Sequence, residues 1–252
     1  MILTLDQVSK EFGGLKALSD ISFTVNKGDV FGVIGPNGAG KTTLFNLITG
    51  IFPPTSGNII FNGTEIIGLK PYKVTALGIA RTFQNIRLFD NLTVLENVMV
   101  GAHSHMKASI WQGIWRTPKQ RREEKAVTDR AKELLALVGI KAIFELSGAL
   151  AYGQQRRLEI ARALAADPEI LLLDEPAAGM NESETEDLMR LITQIRDMGK
   201  TIILIEHDMN LVMNTCNRLA VINFGSKIAE GNPEEIQTNS EVIEAYLGKE
   251  ED

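Results

Sequence analysis

The chain has 252 residues, enough for one large α/β domain or for a core carrying a subdomain. Its formal net charge of −6 argues against a dedicated nucleic-acid surface, so any partner is expected to be protein. No charged leader opens the chain and no apolar run approaches the roughly 20 residues needed to span a bilayer, which by itself implies a cytosolic protein.

Residues 2–34 read as β-rich. Ile2-Leu3-Thr4-Leu5 and Ile21-Ser22-Phe23-Thr24-Val25 are short apolar runs, and Asn26-Lys27-Gly28-Asp29 supplies a turn after the second. Phe12 stands beside Gly13 and Gly14, where an aromatic can present a face to a flat base but more often packs in a loop; the residues alone favour packing.

The β-branched run Val30-Phe31-Gly32-Val33-Ile34 then leads into Gly35-Pro36-Asn37-Gly38-Ala39-Gly40-Lys41-Thr42-Thr43, and Leu44 to Gly50 suits a short helix. Strand, glycine loop and helix in this order cradle a polyphosphate. Backbone N–H groups of a loop without bulky Cβ atoms turn inward, and the helix N-terminus adds positive potential. Lys41 is placed to reach the β- and γ-phosphates, and the Thr42 hydroxyl to ligate Mg²⁺. The motif therefore predicts a bound nucleoside triphosphate.

Pro53-Pro54-Thr55-Ser56-Gly57 breaks the helix, and residues 58–66 read as a hairpin turned at Asn62-Gly63. Residues 79–84 look like a strand ending in Gln84, a surface amide unless it faces the metal site. From about Leu92 to Ala166 the pattern is helical, opened by Thr93 with Glu96 three residues on. Lys119 to Val138 alternates charged and apolar residues at helical spacing. The basic cluster Arg116, Lys119, Arg121 and Arg122 is interleaved with Glu123 and Glu124, as on a solvated helix face, and Trp111 and Trp115 either cover a core or meet a partner.

Leu150 to Leu164 is a short turn opening an amphipathic helix with arginines on one side, a setting that can bind an anion. Ile170-Leu171-Leu172-Leu173 predicts an interior parallel strand ending in Asp174-Glu175-Pro176. Two adjacent carboxylates at such a strand end are costly unless they bind a cation or do chemistry, and alternation along the strand gives them different roles. Residues 182–198 form an amphipathic helix, and Thr201 to Ile205 a buried strand ending at Glu206-His207-Asp208. His207 is a structural or a catalytic histidine on equal grounds, since α/β sheets place ligands at the carboxyl edge. Cys216, the only cysteine, excludes an intramolecular disulfide and reads as a small buried hydrophobe. Residues 219–222 and 227–230 pair about Gly225, Pro233 opens a helical tail, and Lys249-Glu250-Glu251-Asp252 reads as a frayed acidic end.

In this order the motifs resemble the ATP-binding subunit of an ABC transporter, over essentially the whole chain. Gly35 to Thr42 resembles its Walker A loop, Leu171 to Glu175 its Walker B strand with the catalytic glutamate, and Gln84 its Q-loop. Leu150 to Gln154 is similar to the signature motif, Ala178 to Asn181 to the D-loop, and His207 to the switch histidine. Phe12 occupies the place of the adenine-stacking aromatic, which reverses the packing preference. The phrases Arg81-Thr82-Phe83-Gln84, Asp174-Glu175-Pro176-Ala177-Ala178-Gly179 and Tyr246-Leu247-Gly248 are similar to the LivG-like ATPases of branched-chain (hydrophobic) amino acid importers.

The resemblance implies an α/β P-loop NTPase (RecA-like) core with an antiparallel β subdomain, residues 1–91 and 167–252, and an inserted α-helical subdomain, residues 92–166. It implies ATP and Mg²⁺ as ligands, with Thr42, Gln84 and Asp174 on the metal and Glu175, His207 and Lys41 in catalysis. Phe12, Gly35 to Thr43 and Gln84 would hold the nucleotide, and Ala151, Tyr152, Gly153 and Gln154 would close on the ATP of a second ATPase subunit. The implied partners are that subunit, a homologue or a second copy, integral membrane permeases at the cytoplasmic face of the inner membrane, and indirectly a periplasmic solute-binding protein. Two departures stand out: Ala151 and Tyr152 replace the serine and first glycine of the usual signature, and Asn181 replaces a common aspartate. The alternatives are an ATPase of lipopolysaccharide export or of urea and amide uptake, or a soluble ABC ATPase outside transport.

Overall fold

Residues 1–102 and 118–247 are described by the computed structural model; Trp111, Trp115, Arg116 and the acidic end Lys249 to Asp252 lie outside them. A six-stranded sheet carries the site. Its order in space is β10-β9-β3-β8-β7-β6, built from β3 (Val30–Ile34), β6 (Ile79–Arg81), β7 (Ile170–Asp174), β8 (Thr201–Ile205), β9 (Arg218–Asn223) and β10 (Ser226–Gly231). Neighbours run parallel from β9 to β6, and β10 returns antiparallel through the turn at Phe224-Gly225. Every residue of β3, β7 and β8 is buried, as expected of strands covered on both faces.

Alternation divides those strands between two cores. Ile34, Leu171, Leu173, Ile202 and Leu204 face one apolar cluster, while Phe31, Val33, Ile170, Leu172, Ile203 and Ile205 face the other. Fully burying one such side chain contributes about 1.5–3 kcal/mol, so a one-residue slip of any strand would misplace its whole set.

The second core is closed by a four-stranded antiparallel sheet of order β2-β1-β4-β5: β1 (Leu3–Phe12), β2 (Leu15–Val25), β4 (Ser56–Phe61) and β5 (Thr64–Glu65). The hairpin turn falls at Asn62-Gly63, both at positive φ, as the sequence predicts. β1 and β2 are longer than the predicted runs, because pairing carries their polar outer halves to the Gly13-Gly14 turn. β6 is shorter than predicted. It ends at Arg81, and Gln84 lies three residues beyond it, where Arg156 donates to the carbonyl oxygen of neighbouring Phe83.

Helix α1 (Lys41–Ile48) follows the glycine loop, and α2 (Pro71–Leu77), α7 (Met209–Thr215), α8 (Pro233–Gln237) and α9 (Ser240–Leu247) are short. Three helices pack on one another: α3 (Val94–Gly101), started by the predicted Thr93–Glu96 capping box, α4 (Pro118–Leu137) and α5 (Tyr152–Leu164). Helix α6 (Glu182–Asp197) begins with a second capping box, Asn181 with Glu184, so the departure at Asn181 serves as a helix cap.

The register sets Val33, Ile205 and Asp174 level across β3, β8 and β7. The loops leaving these three strands therefore meet at one carboxyl edge, where open α/β sheets bind ligands. Among the described residues no helix is long and apolar enough to cross a membrane.

Candidate nucleotide site

The glycine loop is held by contacts only glycine permits. At Gly35 (φ +150°) a Cβ would lie 1.9 Å from the Ile222 carbonyl oxygen, and at Gly40 (φ +108°) 2.9 Å from that of Ala17. Lys41, the first residue of α1, is buried and donates from Nζ to the carbonyl oxygens of Gly35 at 2.7 Å and Pro36 at 2.9 Å, closing the loop upon itself. Burial pushes its ammonium pKa down, and the nearby carboxylates of Glu175 and Asp174 pull it back up. No side chain caps the start of α1 and no acidic residue sits in its first turn, so its N–H groups are left to an anion. The cavity in front, ≈ 290 Å³, is lined by Asn37 to Thr43, Gln84 and Glu175.

The two carboxylates at the end of β7 diverge, as alternation requires. Asp174 turns inward: Oδ2 lies 2.6 Å from Arg81, and its own N–H donates to Thr82 Oγ1 at 3.3 Å. Its Oδ1 is buried with no hydrogen-bond partner. Glu175, at φ +49°, turns outward; Gln84 Nε2 donates to its Oε2 at 2.8 Å, and His207 Nε2 lies 2.7 Å from its Oε1. Chain elements from β6, β7 and β8 thus converge on one carboxylate. Behind His207, buried Glu206 accepts N–H bonds from Ala177 (2.7 Å) and His207 (2.9 Å), tying the histidine's loop to the loop after β7. Burial pushes the Glu206 carboxyl up, against the pull of those N–H groups.

The residues present fit a magnesium ion bound together with phosphates. No group of three or more His, Cys, Asp or Glu among the described residues could hold a metal unaided. The cavity itself offers an exposed Thr42 hydroxyl and the Gln84 amide, and Asp174, next to Glu175 in the chain but not part of the lining, carries an orphaned buried oxygen. Mg²⁺ takes such a set of hard oxygens, with substrate phosphates and water completing its octahedron.

Two predicted groups do not reach this cavity within one chain. Ala151, at the N-cap of α5, has no side-chain cap to give, and Tyr152 and Gln154 are exposed away from the lining. The Tyr152 hydroxyl accepts from Arg156 at 3.1 Å, and Gly153 lies beside Glu184. Phe12 ends β1, 41% exposed, packed edge-on against Phe52 at 5.6 Å with Lys10 Nζ 4.9 Å over its ring. One face is thus shared with a lysine.

The sequence places arginines along one side of α5, and the structure shows what two of them hold. Arg156 is buried and donates to the backbone carbonyl oxygens of Phe83 (2.6 Å) and Gln84. Glu159, also buried, accepts from the N–H groups of Phe83 (3.4 Å) and Arg87 (3.3 Å), and Arg162 donates to the Arg87 carbonyl oxygen. The three charges hold the backbone of residues 83–87. Sequence reasoning missed this triad and Arg81. The available signal was the spacing of charges three apart at 156, 159 and 162, which puts them on one face of α5 among apolar residues.

Comparison with known proteins agrees with this geometry. The family described as ABC transporter matches residues 18–178, and that described as branched-chain amino acid ATP-binding cassette transporter matches residues 226–252. The chain is 46% identical, over 98% of both chains, to the high-affinity branched-chain amino acid transport ATP-binding protein BraF of Pseudomonas aeruginosa, and 44% identical over the same shares to LivG of Salmonella typhimurium. A crystal structure of a nucleotide-free ATP-binding cassette from an ABC transporter superposes with a TM-score of 0.85 at 33% identity, covering 98% of this chain and 99% of the other.

Proposed function

This chain belongs to the ABC transporter family of ATP-binding cassettes, and from that premise we propose that it is the ATP-hydrolysing subunit of an importer of branched-chain amino acids. The observation that carries the solute class is the end-to-end similarity to BraF and LivG, together with the C-terminal match to the branched-chain amino acid cassette family.

The triphosphate lies on the N–H groups of Gly35 to Thr43, with Lys41 redirected from its loop carbonyls to the β- and γ-phosphates. Thr42, Gln84 and Asp174 hold Mg²⁺, which when bound neutralises charge on the transferring phosphoryl group. Glu175 orients and polarises the attacking water, and His207, 2.7 Å away, holds that carboxylate and faces the γ-phosphate. Gln84 joins the phosphate side to the three packed helices, where a membrane permease docks. Phe12 stacks on adenine with its free face.

The exposed Ala151 to Gln154 segment is assigned to the ATP of a second subunit, a homologue or a copy. Glycine and helix N–H groups do there what the missing serine hydroxyl does elsewhere in the family. The helical part spans residues 92–166, and the rest forms the nucleotide core with its β subdomain. The subunit works peripherally, at the cytoplasmic face of the membrane that holds the permeases, which receive solute from a binding protein outside.

The test is reconstitution with its permeases and second ATPase subunit in vesicles loaded with MgATP, with the solute-binding protein outside. Uptake of leucine, isoleucine or valine that stops when ATP is withheld supports the assignment. Uptake of urea or short amides with leucine ignored would replace the solute, and ATP turnover indifferent to the permeases would overturn the transport role.

A further inference from the structure

We propose that Arg81 is a positioning residue for the cation site: it spends one oxygen of Asp174 and thereby fixes the other, unpaired, toward magnesium and its waters. This rests on the ATP-site reading above. Arg81 and Asp174 side chains are 5% and 1% exposed and 2.6 Å apart. The guanidinium is anchored beyond that pair. It donates to Asn46 Oδ1 on α1 at 2.7 Å, and it lies over the rings of Phe45 and Phe83, 5.4 and 5.2 Å from their centroids. One planar group therefore joins the helix after the phosphate loop, the end of β6 and the aspartate of β7.

A pair serving only to bury opposite charges is favoured when all its hydrogen-bonding atoms are satisfied. Here Asp174 Oδ1 is buried without a partner, as is Arg81 Nε. An orphaned carboxylate oxygen is a cost that a ligand removes. Arg81 determines which oxygen is orphaned, because the fork that reaches both Asn46 and Asp174 admits one orientation.

The sign of the effect separates this role from simple electrostatics. Removing a positive charge beside a divalent cation would, on charge alone, tighten cation binding. Losing the support of a ligand's orientation weakens metal binding, by about 10–100-fold for outer-shell partners.

The experiment is a Mg²⁺ titration of radiolabelled ATP retention by equilibrium dialysis, in a Glu175→Gln background so that hydrolysis does not intrude. Mn²⁺ electron paramagnetic resonance is a second readout. Arg81→Met is expected to raise the half-saturating Mg²⁺ concentration at least about tenfold while ATP retention in EDTA matches the parent, with Arg81→Lys between them. A midpoint unchanged or lowered in folded Arg81→Met overturns the inference. Should Arg81→Met not fold, Asn46→Ala carries the test: it frees the far side of the fork and is expected to shift the midpoint by about fivefold, and an unchanged midpoint overturns the proposal. A parent protein whose ATP retention ignores Mg²⁺ would instead overturn the cation site itself.

Discussion

Glu175→Gln is the sharpest probe of the chemistry, because the structure shows what it leaves intact. The carboxylate accepts from Gln84 at 2.8 Å through one oxygen and meets His207 at 2.7 Å through the other. A carboxamide of the same shape keeps an acceptor for Gln84 and offers its N–H to the histidine, so neither loop is released. If Glu175 is the proposed base, the substitution removes it, and general-base catalysis contributes about 10²–10⁴ in rate, equivalent to about 3–5 kcal/mol. ATP affinity should hold or rise, since Glu175 is the larger of the two carboxylate influences on Lys41 and its charge opposes the triphosphate. Single-turnover hydrolysis with nucleotide retention measured on the same sample reads both quantities. If His207 acts through Glu175, the double variant Glu175→Gln/His207→Ala is no slower than Glu175→Gln within about threefold, whereas independent roles multiply. Turnover above about a tenth of the parent rate in Glu175→Gln would remove Glu175 from its assigned role.

Three further outcomes follow from burial and packing. Glu159→Gln leaves buried Arg156 and partly buried Arg162 without their counter-charge and is expected to cost about 3–5 kcal/mol in urea unfolding; a loss under about 1 kcal/mol would show the triad is solvated. Gly35→Ala forces a Cβ onto the Ile222 carbonyl at a left-handed φ and should cost about 2–6 kcal/mol, while Gly63→Ala, with open space around it, should cost only about 1 kcal/mol; equal melting temperatures for the two would refute the contact argument. Burial pushes the Cys216 thiol from 9.0 up to about 12, so folding is fully supported below pH 9 and loses about 1.4 kcal/mol per pH unit from there toward pH 12, as the unfolded thiol ionises and the folded one does not. Cys216→Ala should remove that contribution from the slope, and native protein should resist thiol reagents at pH 8 until denatured; ready labelling of the folded chain would contradict the burial.

Legibility in the sequence followed burial on both faces. β3, β7 and β8 read plainly, because strands covered on both sides are continuous apolar runs with turns at their ends. The outer halves of β1 and β2 did not, since Lys10, Glu11 and Lys16 carry no apolar alternation and are strand only through pairing. α2 and α7, seven residues each, are too short to show a helical period; their signals were caps, Pro71 with Gly78 and Asp208 accepting from Leu211. In the site, spacing exposed the phosphate loop, and the ends of two buried strands exposed Asp174 and Glu175, and His207. Arg81 stayed hidden because its partner lies 93 residues along the chain. The backbone partners of the α5 arginines stayed hidden for the same reason, since Phe83, Gln84 and Arg87 lie more than 70 residues away along the chain.

These bonds have a mechanical consequence for residues 81–87. At one end Arg81 is fixed to Asp174 and Asn46, and at the other the backbone of Phe83, Gln84 and Arg87 is fixed to Arg156, Glu159 and Arg162. Apolar surfaces can slide over one another at little cost, but a buried charge left without its partner costs about 1–3 kcal/mol or more for each bond broken. Any displacement of Gln84 carries the carbonyls of Phe83 and Gln84 with it, and Arg156 must either follow or stand unpaired. Following is cheaper, and Arg156 sits one turn into a helix whose first residues are the signature segment Tyr152 to Gln154. The phosphate side and the signature side of one chain are therefore joined by directional bonds to backbone, the kind of contact that transmits displacement instead of absorbing it.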